Sequence, residues 1–133
     1  VSLTHIPADL RRLVESRAGS RCECCLLSST LSFFPHEVDH VIAEKHGGRT
    51  EAENLALACW RCNRHKGSDL GSFDPLTGEF SLLFNPRAHT WSEHFALEGE
   101  TLVGLTAQGR TTIRLLRLDN QERLAERRRL QGI

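Results

Sequence analysis

The chain has 133 residues, with 17 basic and 17 acidic side chains, and 39% of it is hydrophobic. That length and composition suit one ordinary globular domain, or a compact core with an extension. A formal charge of zero excludes a polycation that holds nucleic acid by bulk charge, and no apolar run approaches the ~20 residues a membrane helix needs.

The opening residues, Val1-Ser2-Leu3-Thr4-His5-Ile6, lack the basic-then-apolar profile of a signal peptide. Residues 7–18 read as a helix. Pro7 suits its first turn, Leu10, Leu13 and Val14 share a face, and Gly19 can close it. Its plain role is packing, with Arg11, Arg12 and Arg17 on the outer side in reach of a phosphate.

Residues 20–32 make a cysteine-bearing turn and a polar loop. Phe33, Phe34, Val38, Val41 and Ile42 favour extended structure, interrupted at Pro35. We expect a short strand ending near His40, a loop around Gly47-Gly48, and a second strand or a helical turn over residues 51–57. A helix should follow over about residues 60–70 and stop at Gly71.

Past Ser72 the texture changes. The expected division is residues 1–72 and 73–133, the second part packed on the first as one compact unit. A turn at residues 74–79 leads into an apolar run at 80–84, stopped by Asn85-Pro86. Residues 95–97 and 102–105 read as strands across Glu98-Gly99-Glu100, with Gly109 ending the hairpin. Residues 111–113 either continue it or open the run Leu115-Leu116-Arg117-Leu118. Asn120 is a fair N-cap for a last helix over residues 121–130. Charge is uneven here: residues 73–109 hold five acids and one base, residues 110–133 seven arginines and three acids. Such a basic end is as compatible with phosphate binding as with a solvated face.

Five cysteines, an odd number, argue for a reducing compartment rather than a disulfide framework, so the expected location is cytoplasmic. Cys22 with Cys25, and Cys59 with Cys62, are two C-x-x-C pairs at the spacing of a tetrahedral structural zinc site. Cys24 is left over, and a ligand set that uses it in a rearranged turn stays open at this point. Between the pairs lies Asp39-His40, and just after them Asn63 and His65. These are side chains suited to holding a hard cation and activating a water.

The run Glu37-Val38-Asp39-His40-Val41-Ile42, then Gly47-Gly48, Asn54-Leu55 and Cys59-x-x-Cys62-Asn63-x-His65-Lys66-Gly67, resembles the HNH endonuclease family over about a third of the chain. The resemblance implies an α+β fold: a ββα-metal core with structural zinc, an N-terminal helix and a C-terminal extension of hairpin and helix. Residues 74–78, 85–87 and 91–95 resemble the extension of a bacterial subgroup of small HNH proteins, with no separate activity implied. The activity implied is metal-dependent hydrolysis of double-stranded DNA, leaving 5′-phosphate and 3′-hydroxyl ends.

The resemblance also assigns roles. His40 would be the general base, since an imidazole of ordinary pKa about 6.5 can take a proton from water at physiological pH. Asp39 would hold the catalytic Mg²⁺ or Mn²⁺. Neighbours on a strand face opposite ways, so Asp39 and His40 reach one site only where the strand kinks or ends. Asn63 and His65 compete for the second ligand position, because two residues apart on a helix diverge by about 200°. The family's last ligand directly follows the second cysteine pair, and a similar Asn-Arg-x-Lys run in CRISPR effector nucleases puts an asparagine on the metal. Asn63 is therefore preferred, with His65 the runner-up or a phosphate contact. Asn54 would brace the loop that holds His40. Arg61, Arg64 and Lys66 would neutralise DNA phosphates. His36 and His46 flank the site as ordinary loop or strand histidines.

The rival reading is a zinc-stabilised nucleic-acid or protein adaptor without turnover. The cysteine pairs support it equally, but an adaptor has no need of Asp39, His40, Asn54 and Asn63 together. Cutting both strands of a duplex takes two active sites or a repositioning, so a homodimer or a partner subunit is a further expectation beside a lone chain.

Overall fold

The computed structural model describes residues 4–130, in two compact units, Val1–Ser68 and Asp69–Ile133. In the first, helix α1 (Ala8–Arg17) starts after Pro7, whose missing N–H costs nothing at a helix start. Its inner stripe is the buried Val14 with the partly buried Leu10 and Ala18, set against Leu55 and Leu57 at the i, i+4, i+8 spacing of one face. Leu13, expected on that face, is 47% exposed. The helix packs on one short strand and the turn before it, so its buried stripe is narrow. Arg17 stays exposed, but its Nη2 donates to Ala52 O at 2.7 Å and to Leu55 O at 2.5 Å, tying the helix to the segment that leads into the second strand.

A knuckle follows. Arg21 bridges to Ser28, Cys22 N–H donates to Leu27 O at 2.9 Å, and Leu26 takes φ +67° to close the turn. Strand β1 (Glu37–His40) pairs antiparallel with β2 (Leu55–Ala58), from Glu37 opposite Ala58 to His40 opposite Leu55. All four residues of β2 are buried. Residues 51–57 hold both of the expected alternatives, a 3₁₀ turn at Ala52–Asn54 and then the strand. Helix α2 (Trp60–Lys66) begins after one residue, capped by the Cys59 sulfur, which accepts from Cys62 N–H. It stops at Gly67, φ +52°, rather than at Gly71. Gly67 N–H closes the last turn on Asn63 O, and the glycine then takes a backbone conformation that turns the chain out of the helix. The order β1, β2, α2 on a cysteine knuckle is the expected ββα core of an α+β fold.

In the second unit, β3 (Gly71–Phe73) pairs with β4 (Phe80–Leu82), so Gly71 and Ser72 belong here and not to the end of the first. Asp74 holds the turn between them. Its buried carboxylate accepts from Leu76 N–H and Thr77 Oγ1, each at 3.0 Å, and from Arg110 Nε and Nη2 at 2.9 and 2.8 Å. The Arg110 guanidinium above all holds this carboxyl well below the usual carboxylate range.

Helix α3 (Trp91–His94) leads into β5 (Phe95–Glu98), paired with β6 (Thr101–Gly104). Gly109 does not end this hairpin. It lies inside α4 (Ala107–Leu115), its N–H donating to the capping Thr106 Oγ1 at 3.0 Å. A Cβ there would stand 2.1 Å from His94 O, so the helix approaches that carbonyl only through glycine. Helix α5 (Gln121–Leu130) starts as expected at Asn120, whose Oδ1 accepts from Arg123 N–H at 3.0 Å. Part of the basic end turns inward. Arg123 and Arg127 are 2% and 3% exposed; Arg123 donates to Leu116 O, and Arg127 to Leu118 O and Glu100 O. Arg128 pairs with Glu100, and Arg110 with Asp74. Arg123 and Arg127 thus serve backbone carbonyls rather than a phosphate, while Arg114, Arg117, Arg128 and Arg129 stay exposed.

Candidate functional site

Cys22 and Cys25 come from the knuckle, Cys59 and Cys62 from the start of α2. Their four sulfurs lie within 4.8 Å of one another, all on buried residues. Cys24 lies outside this group, and burial above all keeps its thiol well above the ordinary value. The spacer Glu23 sets the knuckle over β2: its N–H donates to Leu57 O, and its Oε2 accepts from Leu57 N–H, both at 2.9 Å.

Four crowded thiols cannot all ionise unaided. Hydrogen bonds to Cys22 and its neighbours, then burial, push Cys62 and Cys25 well up. Burial opposes ionisation of Cys22 as well, but hydrogen bonds from Cys25 and Cys62 bring that thiol down. A dication at the centre resolves this conflict, so donor type, separation and burial fit a tetrahedral zinc site.

Beside this centre, β1 and α2 border a cavity of about 1150 Å³ walled in part by Glu37, Asp39, His40, Trp60, Asn63 and Arg64. Asp39 Oδ2 lies 3.0 Å from Lys66 Nζ. Burial raises this carboxyl above its usual value, and the ammonium only partly offsets that. Lys66 also donates to His40 O at 3.0 Å, so the side chain expected on a DNA phosphate is turned inward. Its ammonium marks the place beside Asp39 as one that accepts a cation.

His40 ends β1, which is how it and Asp39 both line one cavity despite adjacent positions on a strand. Its ring is 5% exposed, and Nε2 lies 2.8 Å from Thr50 Oγ1. Asn54 clamps the loop between them. Its Oδ1 accepts from Ile42 N–H, and its Nδ2 donates to Ile42 O and Arg49 O, all at 2.9 Å. One side chain thus ties the residues just after His40 to the residue just before Thr50. Gly48 completes the clamp, since a Cβ there would lie 1.7 Å from Ile42 O and 2.8 Å from Asn54 Nδ2.

Asn63 lines the cavity and His65 does not. Asn63 Nδ2 donates to Glu37 Oε1 at 2.7 Å. Arg64 is exposed at the cavity wall, and the Arg61 guanidinium lies over the Trp60 ring at 4.9 Å. His36 and His46 bond backbone, through Nε2 to Leu27 O at 2.8 Å and to Ser68 O at 3.1 Å. Sequence reasoning missed the contacts of Glu23 and Thr50, and it gave Glu37 no task. Only Glu37 left a signal, standing two residues before Asp39 and hence on the same strand face.

Residues 22–69, the stretch from the knuckle to just past α2, match the family described as HNH endonuclease. Over 62 residues the chain is 37% identical to the CRISPR-associated endonuclease Cas9 of Corynebacterium diphtheriae (strain ATCC 700971 / NCTC 13129 / Biotype gravis). That stretch is 46% of this chain and 6% of the relative, so the chain spans a small part of the relative's length. No solved structure matches the chain. No helix among the described residues is long and apolar enough to cross a membrane.

Proposed function

We propose that the chain is a metal-dependent endonuclease that hydrolyses phosphodiester bonds of double-stranded DNA, with His40 as general base. What supports this is the opening of Asp39, His40 and Asn63 onto one cavity beside a four-thiol zinc site, within the stretch that matches HNH endonucleases. The zinc is structural, fixing the knuckle to the start of α2. Asp39 and Asn63 would hold the catalytic divalent ion, a carboxylate and an amide oxygen suited to Mg²⁺ or Mn²⁺. Asn63 is preferred to His65 because it lines the cavity. When bound, that ion supplies charge stabilisation to the phosphorane and the leaving 3′ oxygen.

The rest falls to the chain itself. In the tautomer whose Nε2–H donates to Thr50 Oγ1, which lies 2.8 Å away, the Nδ1 lone pair is left to take a proton from the attacking water. The Asn54 clamp holds both partners of that hydrogen bond in place. Arg64, exposed at the cavity wall, neutralises a flanking phosphate, whereas Lys66 contributes only by leaving Asp39 and Arg61 is held over Trp60. Contacts of this kind read the backbone, so sequence preference is weak, and a double-strand cut calls for a second copy or a partner subunit.

The test incubates supercoiled plasmid with the zinc-loaded chain and Mg²⁺ or Mn²⁺, beside His40→Ala. We expect nicking that needs the added ion and falls about 10²–10⁴-fold in the variant, the usual worth of a general base. Equal nicking by the two proteins removes His40 from this role. No ion-dependent nicking by either leaves the adaptor reading in place.

A further inference from the structure

Glu37 has no part in the chemistry above, yet it touches one of its central residues. Glu37 and Asp39 share a face of β1, Asn63 approaches from α2, and all three line one cavity. Asn63 Nδ2 donates to Glu37 Oε1 at 2.7 Å, at the short end for an N–H bonded to a carboxylate. A carboxylate can only accept, so this contact decides which end of the amide faces it. Turned over, the amide would set its oxygen against the Glu37 carboxylate and offer its NH₂ group elsewhere. With Nδ2 committed to Glu37, Oδ1 remains, and no described residue donates a hydrogen bond to it.

We propose that Glu37 is a positioning residue for the divalent ion, locking the Asn63 amide so that its oxygen is the atom offered to the cavity shared with Asp39. The inference rests on the reading of Asn63 as a ligand, and it gives Glu37 orientation rather than ligation as its task. The alternative, Glu37 holding the ion directly, differs in one measurable respect: it does not depend on Asn63.

Mn²⁺ is titrated calorimetrically into the zinc-loaded full chain and into Glu37→Ala, Glu37→Gln, Asn63→Ala and the double variant Glu37→Ala/Asn63→Ala. Zinc content and melting temperature report that each has folded. Outer partners of metal ligands typically change affinity about 10- to 100-fold, and we expect Glu37→Ala to weaken Mn²⁺ binding by at least about tenfold. Glu37→Gln should lose less, because its Oε1 still accepts from Asn63 Nδ2. The double variant should bind no worse than Asn63→Ala alone. Unchanged affinity in Glu37→Ala, with Asn63→Ala impaired, overturns this inference and leaves the nuclease reading standing. A double variant weaker than Asn63→Ala also overturns it, since Glu37 is then a ligand in its own right. Wild-type protein with no Mn²⁺ site besides the zinc centre brings down both readings. An Asn63→Ala variant that binds like wild type removes Asn63, and Glu37 with it, from the ion.

Discussion

Asn54 is the residue on which the loop over His40 turns, and its chemistry leaves little choice of side chain. Ile42 N–H needs an acceptor, while Ile42 O and Arg49 O need donors, and a single amide supplies all three. Alanine removes the bonds; aspartate keeps the acceptor but sets a carboxylate against two carbonyl oxygens. We therefore expect Asn54→Ala to cost about 1–3 kcal/mol and Asn54→Asp to cost more, although it is the closer isostere. Urea unfolding followed by Trp60 fluorescence, in a Trp91→Phe background, measures both. An aspartate variant as stable as the alanine variant would show that the clamp is not set by donor and acceptor count. The place of Asn54 was legible in the sequence because the family spacing marks it. Thr50 and Glu23 were not, since each matters only through where a loop returns in space, and no local pattern records that.

At the scale of elements, glycine was the punctuation hardest to read. Gly67 and Gly71 both follow a helical run, and Gly67 closes it because its backbone sits at φ +52°. Gly109 follows a hairpin and reads as its end, yet it lies in the first turn of a helix capped by Thr106, where a Cβ would meet His94 O. The first, second and last helices and most strands came through, since apolar runs and cap residues such as Asn120 carry them locally, but α3, β3 and α4 did not, the last being read as part of a hairpin. Nor did boundaries that depend on a neighbouring element. The arginines of the last helix misled for a related reason: a charge pattern reads as surface until the carbonyls that Arg123 and Arg127 serve are in view. Gly109 also gives a prediction whose sign is opposite to the usual rule. Gly→Ala within an ordinary helix gains about 1 kcal/mol, but here the methyl would collide with backbone, and we expect Gly109→Ala to lose about 1–3 kcal/mol. Unfolding followed by Trp91 in a Trp60→Phe background reads it. A gain in stability would mean that the His94 carbonyl yields freely.

For the whole molecule, the two units rest on different chemistry, and acid should separate them. The first depends on four sulfurs that must be deprotonated to hold zinc, so protons compete with the ion as pH falls. The second has Asp74 clasped by Arg110. That carboxyl is held below the usual range, so its contribution is fully present above the unfolded value of about 3.9. It is lost only as pH falls through the depressed folded value. Each unit carries one tryptophan, Trp60 in the first and Trp91 in the second. Acid titration of the two single-tryptophan variants should therefore show the Trp60 signal moving first, together with zinc release, while the Trp91 signal holds into the ordinary carboxylate range. A strong chelator at neutral pH should reproduce the first change and spare the second, because Asp74 and Arg110 keep their charges there. Asp74→Asn should bring the Trp91 transition to milder denaturant at neutral pH and leave the zinc-linked step where it was. Coincident acid transitions of the two tryptophans, with or without zinc release, would mean that one event governs both units and that the thiolates and the Asp74 clasp are not separate supports.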